Sequence, residues 1–111
     1  HPHRVVLTHH PLPDRLQLFH QAGAYTTISY EKGQLNKSIE GILKQLYHQQ
    51  LQSILVEGGA KVLNAFLASG CWDEIRVFTA PHAFGKGLTA PALPSEARLT
   101  NESRIGTDWL R

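Results

Sequence analysis

The chain has 111 residues, 41% hydrophobic and 18% charged, with a formal net charge of +2. This mix excludes a disordered chain and suits one domain with one core. The small charge, with no basic run interleaved with aromatics, argues against nucleic acid and membrane partners, and no apolar run approaches the roughly 18 residues of a spanning helix.

A single cysteine, Cys71, rules out an internal disulfide and fits a reducing cytoplasm. The chain opens on His1 rather than methionine, so it is expected to be a piece of a longer protein.

Arg4-Val5-Val6-Leu7-Thr8 is a short β-rich run, halted by the prolines of His9-His10-Pro11-Leu12-Pro13-Asp14. Its last residue, Thr8, places a hydroxyl at the carboxyl edge of a parallel strand, where ligands of open α/β sheets bind. Leu16 to Phe19 reads as a brief strand and Ala24 to Tyr30 as a firmer one, broken by Glu31-Lys32-Gly33. Ser38 is the expected N-cap of a helix running to about Gln50, with Glu40 in its first turn. Ile39, Ile42, Leu43, Leu46 and Tyr47 share one face of that helix, a stripe wide enough to cover a sheet.

Ser53-Ile54-Leu55-Val56-Glu57-Gly58-Gly59-Ala60-Lys61 is the stretch around which the chain is organised. Three large apolar residues in a row, Ile54 to Val56, predict a strand buried on both faces. A helix follows through Val62, Leu63, Phe66 and Leu67, ended by Gly70 in the left-handed C′ position. Asp73 to Thr79 is the next expected strand, which makes a βαβ unit with a right-handed crossover. Beyond the loop Pro81 to Gly87, Ala97–Ser103 and Thr107–Leu110 are two further strand candidates around Arg104-Ile105-Gly106.

A strand that passes through paired glycines into a helix leaves the first N–H groups of the helix open to an anion such as a pyrophosphate. Glycine there reaches unusual backbone angles and leaves no Cβ in a ligand's path. A plain βα corner explains the same residues equally well. Glu57, at the mouth of the turn, is placed to accept hydrogen bonds from ring N–H groups of a substrate. A solvated edge glutamate is the alternative.

Seven histidines invite a metal site, but neighbouring histidines on a strand face opposite ways, and no acidic or cysteine partner sits at ligand spacing. No native metal site is therefore expected. The zinc-deaminase signature and a G-x-S-x-G nucleophile elbow are both absent from the sequence. Cys71, beside Trp72 after a helix end, reads as a packed or idle thiol.

Val56-Glu57-Gly58-Gly59-Ala60, Phe66-Leu67-Ala68-Ser69-Gly70, Asp73-Glu74-Ile75-Arg76-Val77-Phe78, Ala80-Pro81 and Gly85 resemble the reductase half of the bifunctional riboflavin-biosynthesis deaminase/reductase. Arg4 to Thr8 and Leu18-Phe19 fit the same family in order. The resemblance covers most of the chain and is densest from residue 53 to 87.

It implies an α/β fold of dihydrofolate-reductase type: three layers with a partly parallel central sheet, incomplete on the N-terminal side. It implies an NADPH-dependent reduction of a phosphoribosylamino-pyrimidine to its ribitylamino form, in a cytoplasmic protein that forms a homo-oligomer, expected as a dimer. By matching position, Gly58, Gly59, Ala60 and Lys61 lie against the cofactor, Thr8 lies near its adenosine ribose and phosphate, and Glu57 holds the pyrimidine. Glu57, Gly58 and Thr8 are thus expected along one sheet edge. No catalytic residue is assigned, and His82, where the family often has lysine, receives no role. The chain reads as one partial reductase domain, 1–111, and the part of the family's domain that precedes Arg4 is missing, so the piece alone is expected to be inactive. A non-catalytic nucleotide-binding or dimerising module, or another pyrimidine or pterin reductase on the same fold, is the competing reading.

Overall fold

The structure, a computed structural model, describes residues 2–111. It is a mixed α/β protein containing one parallel and one antiparallel sheet, and it divides into two compact units, His1–Ile54 and Leu55–Arg111. None of the described helices is long and apolar enough to cross a membrane.

In the first unit, β1 (Arg4–Thr8) pairs in parallel with β2 (Tyr25–Ser29), from Arg4 beside Tyr25 to Thr8 beside Ser29. The prolines after Thr8 prevent a tight hairpin turn, and the long connection to Tyr25 gives the chain the length that parallel pairing needs. Burial alternates along β2: Ile28 is buried and Thr26 half-buried, whereas Tyr25, Thr27 and Ser29 are exposed. The Thr26 hydroxyl donates to Gln49 Oε1 at 2.9 Å, so the Thr26 and Ile28 face is the one toward α1 (Leu35–His48).

That helix buries Leu35, Ile39, Ile42 and Leu46, a stripe at i, i+4, i+7 and i+11. Ile39 is fully enclosed, at 0% exposure, whereas Tyr47, expected on the same face, is 70% exposed. The helix begins one turn earlier than Ser38 because Leu35 belongs to the buried stripe. Ser38 therefore lies inside it, its hydroxyl donating to the Gln34 carbonyl at 2.8 Å, and Glu40 falls outside the first turn. Gln50, at φ 65°, takes the left-handed closing position, and the Leu51 N–H returns to the Leu46 carbonyl at 3.2 Å.

Leu16 to Phe19 is not a strand. Gln17–Phe19 forms a single 3₁₀ turn, with Phe19 N–H on the Leu16 carbonyl and His20 N–H on that of Gln17. Once these groups bond locally, no ladder donor is left for a sheet.

The second unit holds α2 (Ala60–Ser69), β3 (Phe78–Thr79), β4 (Ser103–Ile105) and β5 (Asp108–Leu110). Gly59 is the N-cap of α2 and Gly70, at φ 74°, ends it in the expected left-handed conformation; Ala65 and Phe66 are its buried residues. The expected strand Ile54 to Val56 does not form: Leu51 to Glu57 is irregular chain, with Ile54 40% and Leu55 80% exposed. A doubly buried strand exists only through partners on both sides, and none of the described residues pairs with this run. The boundary between the two units falls within it, after Ile54.

The βαβ unit predicted from Asp73 to Thr79 is likewise absent. Only Phe78–Thr79 is strand, and it runs antiparallel to β5, extended by reciprocal bonds between Val77 and Arg111 at 2.8 and 3.0 Å. The last hairpin is present but shorter than expected. β4 pairs with β5 around Gly106-Thr107, and Gly106 at φ 60° supplies the positive angle that such a two-residue turn needs. Arg104 and Arg111 approach the Trp109 ring at 4.8 and 5.1 Å from its centroid, adding cation–π attraction to a small sheet.

The enclosure of Ile39 sets a clear contrast with Tyr47 on the same helix. Ile39→Ala is expected to destabilise the chain by about 2–5 kcal/mol. Tyr47→Ala should stay within about 0.5 kcal/mol. Urea unfolding followed by circular dichroism checks both, and equal losses would mean that the buried stripe of α1 is misassigned.

Candidate functional site

Parallel pairing of β1 and β2 brings their carboxyl ends to one edge, and an open cleft of about 300 Å³ lies there, lined by Thr8, His9, His10, Pro11, Leu12, Phe19, Thr27 and Ser29. Thr27 and Ser29 come from the face of β2 opposite Thr26 and Ile28. Thr8 is 7% exposed, the one buried polar residue among those described. Its hydroxyl donates to the His10 carbonyl at 2.5 Å and accepts the His10 N–H at 3.2 Å, while its own carbonyl receives the Tyr30 N–H at 3.0 Å. The chain therefore turns tightly at the end of β1.

His10 Nδ1 lies 3.1 Å from the Pro11 carbonyl, and because a carbonyl only accepts, that nitrogen is the donor. The His9 ring stands edge-on to His10, 4.9 Å between centroids, and to Tyr30 at 5.7 Å. Among the described residues no group of three His, Cys, Asp or Glu side chains is placed to hold a metal ion. The usable signal lay in Thr8 itself. Residues that follow a carboxyl-edge hydroxyl, and the alternate residues of the strand beside it, line whatever opens there.

In the second unit, Glu57, Gly58, Gly59, Ala60 and Lys61 run consecutively from irregular chain into the first turn of α2. Gly58 holds φ 134°, an angle side-chain-bearing residues avoid, and a Cβ built on Gly58 or Gly59 meets nothing within 4 Å. No side chain caps α2 at Gly59. The first N–H groups of the helix have no intrahelical acceptor, and their partial positive charge is joined by the exposed Lys61 ammonium. The open space over the glycines, the uncapped donors and the lysine together fit a phosphate group. Glu57 is exposed and follows irregular chain rather than a strand, so Glu57 and Gly58 do not share the sheet edge expected for them with Thr8. A second cleft, of about 260 Å³, lies along the loop Phe84 to Thr89, around Lys86.

Residues 1–110 match the family model of the RibD C-terminal domain. The riboflavin biosynthesis protein RibD of Aquifex aeolicus (strain VF5) is 40% identical over 52 residues, 47% of this chain and 15% of that protein. Its counterpart in Bacillus amyloliquefaciens is 40% identical over 57 residues, 51% of this chain and 15% of that protein. The one in Corynebacterium ammoniagenes is 32% identical over 68 residues, 61% of this chain and 20% of that protein. The matched segments thus span no more than a fifth of the length of these relatives. No solved structure matches the chain significantly. With the family model matched from residue 1 to residue 110, the chain belongs to the RibD C-terminal domain family.

Proposed function

We propose that this chain is a partial reductase domain, 1–111, of a cytoplasmic riboflavin-biosynthesis enzyme that acts as a homo-oligomer, in the form of a dimer, and that turnover belongs to the parent enzyme rather than to these residues alone. Its reaction is the NADPH-dependent reduction of 5-amino-6-(5-phosphoribosylamino)uracil to the ribitylamino form. The observation that carries this reading is the Glu57-Gly58-Gly59-Ala60 turn opening into an uncapped helix, in a chain that matches the RibD C-terminal domain along its length.

Bound NADPH supplies a hydride, and the acceptor is the C1 carbon of the open-chain imine of the sugar. The protein's part is binding and orientation. Gly58 and Gly59 leave room for the cofactor's approach, and the Ala60 and Lys61 N–H groups, with the Lys61 ammonium, neutralise phosphate charge. Thr8, at the carboxyl end of β1, belongs to the part that takes the adenosine ribose and its phosphate. The Glu57 carboxylate accepts hydrogen bonds from pyrimidine ring N–H groups, which fixes the ring against rotation.

The two glycines separate steric effects on the ligand from effects on the fold. Gly59 sits at φ −67° and ψ 162°, an extended conformation open to a β-branched residue, so Gly59→Val should fold normally. The valine side chain then fills the space over the helix N-terminus. NADPH affinity, read by fluorescence titration, is expected to fall at least tenfold, about 1.4 kcal/mol. An unchanged titration would reduce the turn to a structural corner. Gly58→Ala should behave differently, because φ 134° strains any residue with a Cβ. A loss of about 1–3 kcal/mol in chemical denaturation is expected there. Turnover itself is tested in the parent enzyme, by following NADPH oxidation with the phosphoribosylamino-pyrimidine and with a pterin. Preference for the pterin would move the chain to another reductase activity.

A further inference from the structure

Resting on the nucleotide reading given above, we propose that Thr8 is a positioning residue: its hydroxyl closes the turn to His10 and thereby presents the His10 imidazole to an anionic oxygen of a nucleotide in the cleft of the first unit. The hydroxyl has one hydrogen to donate, and that hydrogen is committed to the His10 carbonyl at 2.5 Å. Phosphate oxygens without a proton only accept, so Thr8 has no donor left for them. One of its acceptor sites already receives the His10 N–H at 3.2 Å, and the side chain is buried.

His10 has what Thr8 lacks. It is exposed and lines the cleft. Its Nδ1–H is held by the Pro11 carbonyl, which leaves Nε2 for a ligand. In the imidazolium form both ring nitrogens are donors, one to Pro11 and one to the anion. The His9 ring packs edge-on against both His10 and Tyr30, which limits the freedom of the His10 ring. No residue lining the cleft carries a carboxylate that would repel an anion. Phe19, Pro11 and Leu12 supply an apolar wall and Ser29 a further hydroxyl, a mixed lining suited to a nucleotide's ring and ribose-phosphate.

The test is a double-mutant cycle on the 111-residue chain, with adenosine 2′,5′-bisphosphate as probe and isothermal titration calorimetry as readout. His10→Gln and Thr8→Val should each weaken binding about tenfold. Thr8→Ser, which keeps the hydroxyl, should stay near the unmodified chain. The double variant should bind no more weakly than His10→Gln alone, because Thr8 acts only through His10. Losses that multiply in the double variant would show Thr8 touching the ligand itself or acting through general stability, and would overturn the proposal. So would a Thr8→Val variant that binds normally. An unmodified chain that fails to bind the probe overturns the nucleotide reading of this cleft, and the role of Thr8 with it. Melting curves of all variants fix a temperature at which each remains folded.

Discussion

The parallel pairing of Arg4–Thr8 with Tyr25–Ser29 is the constraint on which the first unit depends. Two strands alone form a marginal sheet, and a parallel pair is weaker per residue than an antiparallel one. Its stability has to come from covering a face, and α1 does this with Leu35, Ile39, Ile42 and Leu46. Covering one face leaves the other for the connection between the strands. That connection carries the histidines and Phe19, and the cleft forms where it leaves the end of β1. The fold of the first unit and its cleft thus follow from one pairing.

Much of this was legible in the residues. Arg4 to Thr8 and Tyr25 to Ser29 are rich in β-branched and aromatic types, and Ile39, Ile42 and Leu46 repeat at helical spacing. Gly59 and Gly70 bracket α2 as helix-boundary glycines should. The misreadings share one cause: they concern residues whose state is decided by partners. Ile54 to Val56 has the composition of a buried strand, but composition cannot provide a neighbour. Asp73 to Thr79 carries strand residues over its length, and ladder bonds reach only Val77 to Thr79, because Asp108 to Arg111 is all that pairs with it. Ser38 has an N-cap's chemistry, but the buried Leu35 outweighs it and moves the helix start.

The candidate site divides in the same way. The Glu57-Gly58-Gly59 turn was readable because glycine's meaning is local: Gly58 does hold a positive φ, and α2 does begin uncapped. The cleft beside Thr8 was readable only at one point. Thr8 was visible as a strand-end hydroxyl, but the residues around it come from the connection and from alternate positions of β2. Thr27 and Ser29 look like ordinary polar strand residues until the register places Ser29 beside Thr8.

Thr8 also shows why a residue's chemistry and its role can separate. From sequence, a hydroxyl at a carboxyl edge looks like a ligand contact, since hydroxyls both donate and accept. Burial changes that capacity. A buried donor must find a partner within the protein, and at Thr8 the nearest backbone groups are those of His10, two residues on. The hydroxyl instead shapes the turn that follows β1. Removing it costs the turn both bonds of the Thr8 hydroxyl to His10, whereas replacing it by serine keeps them. The turn at this edge is therefore set by a hydroxyl whose own bonds are made within the chain.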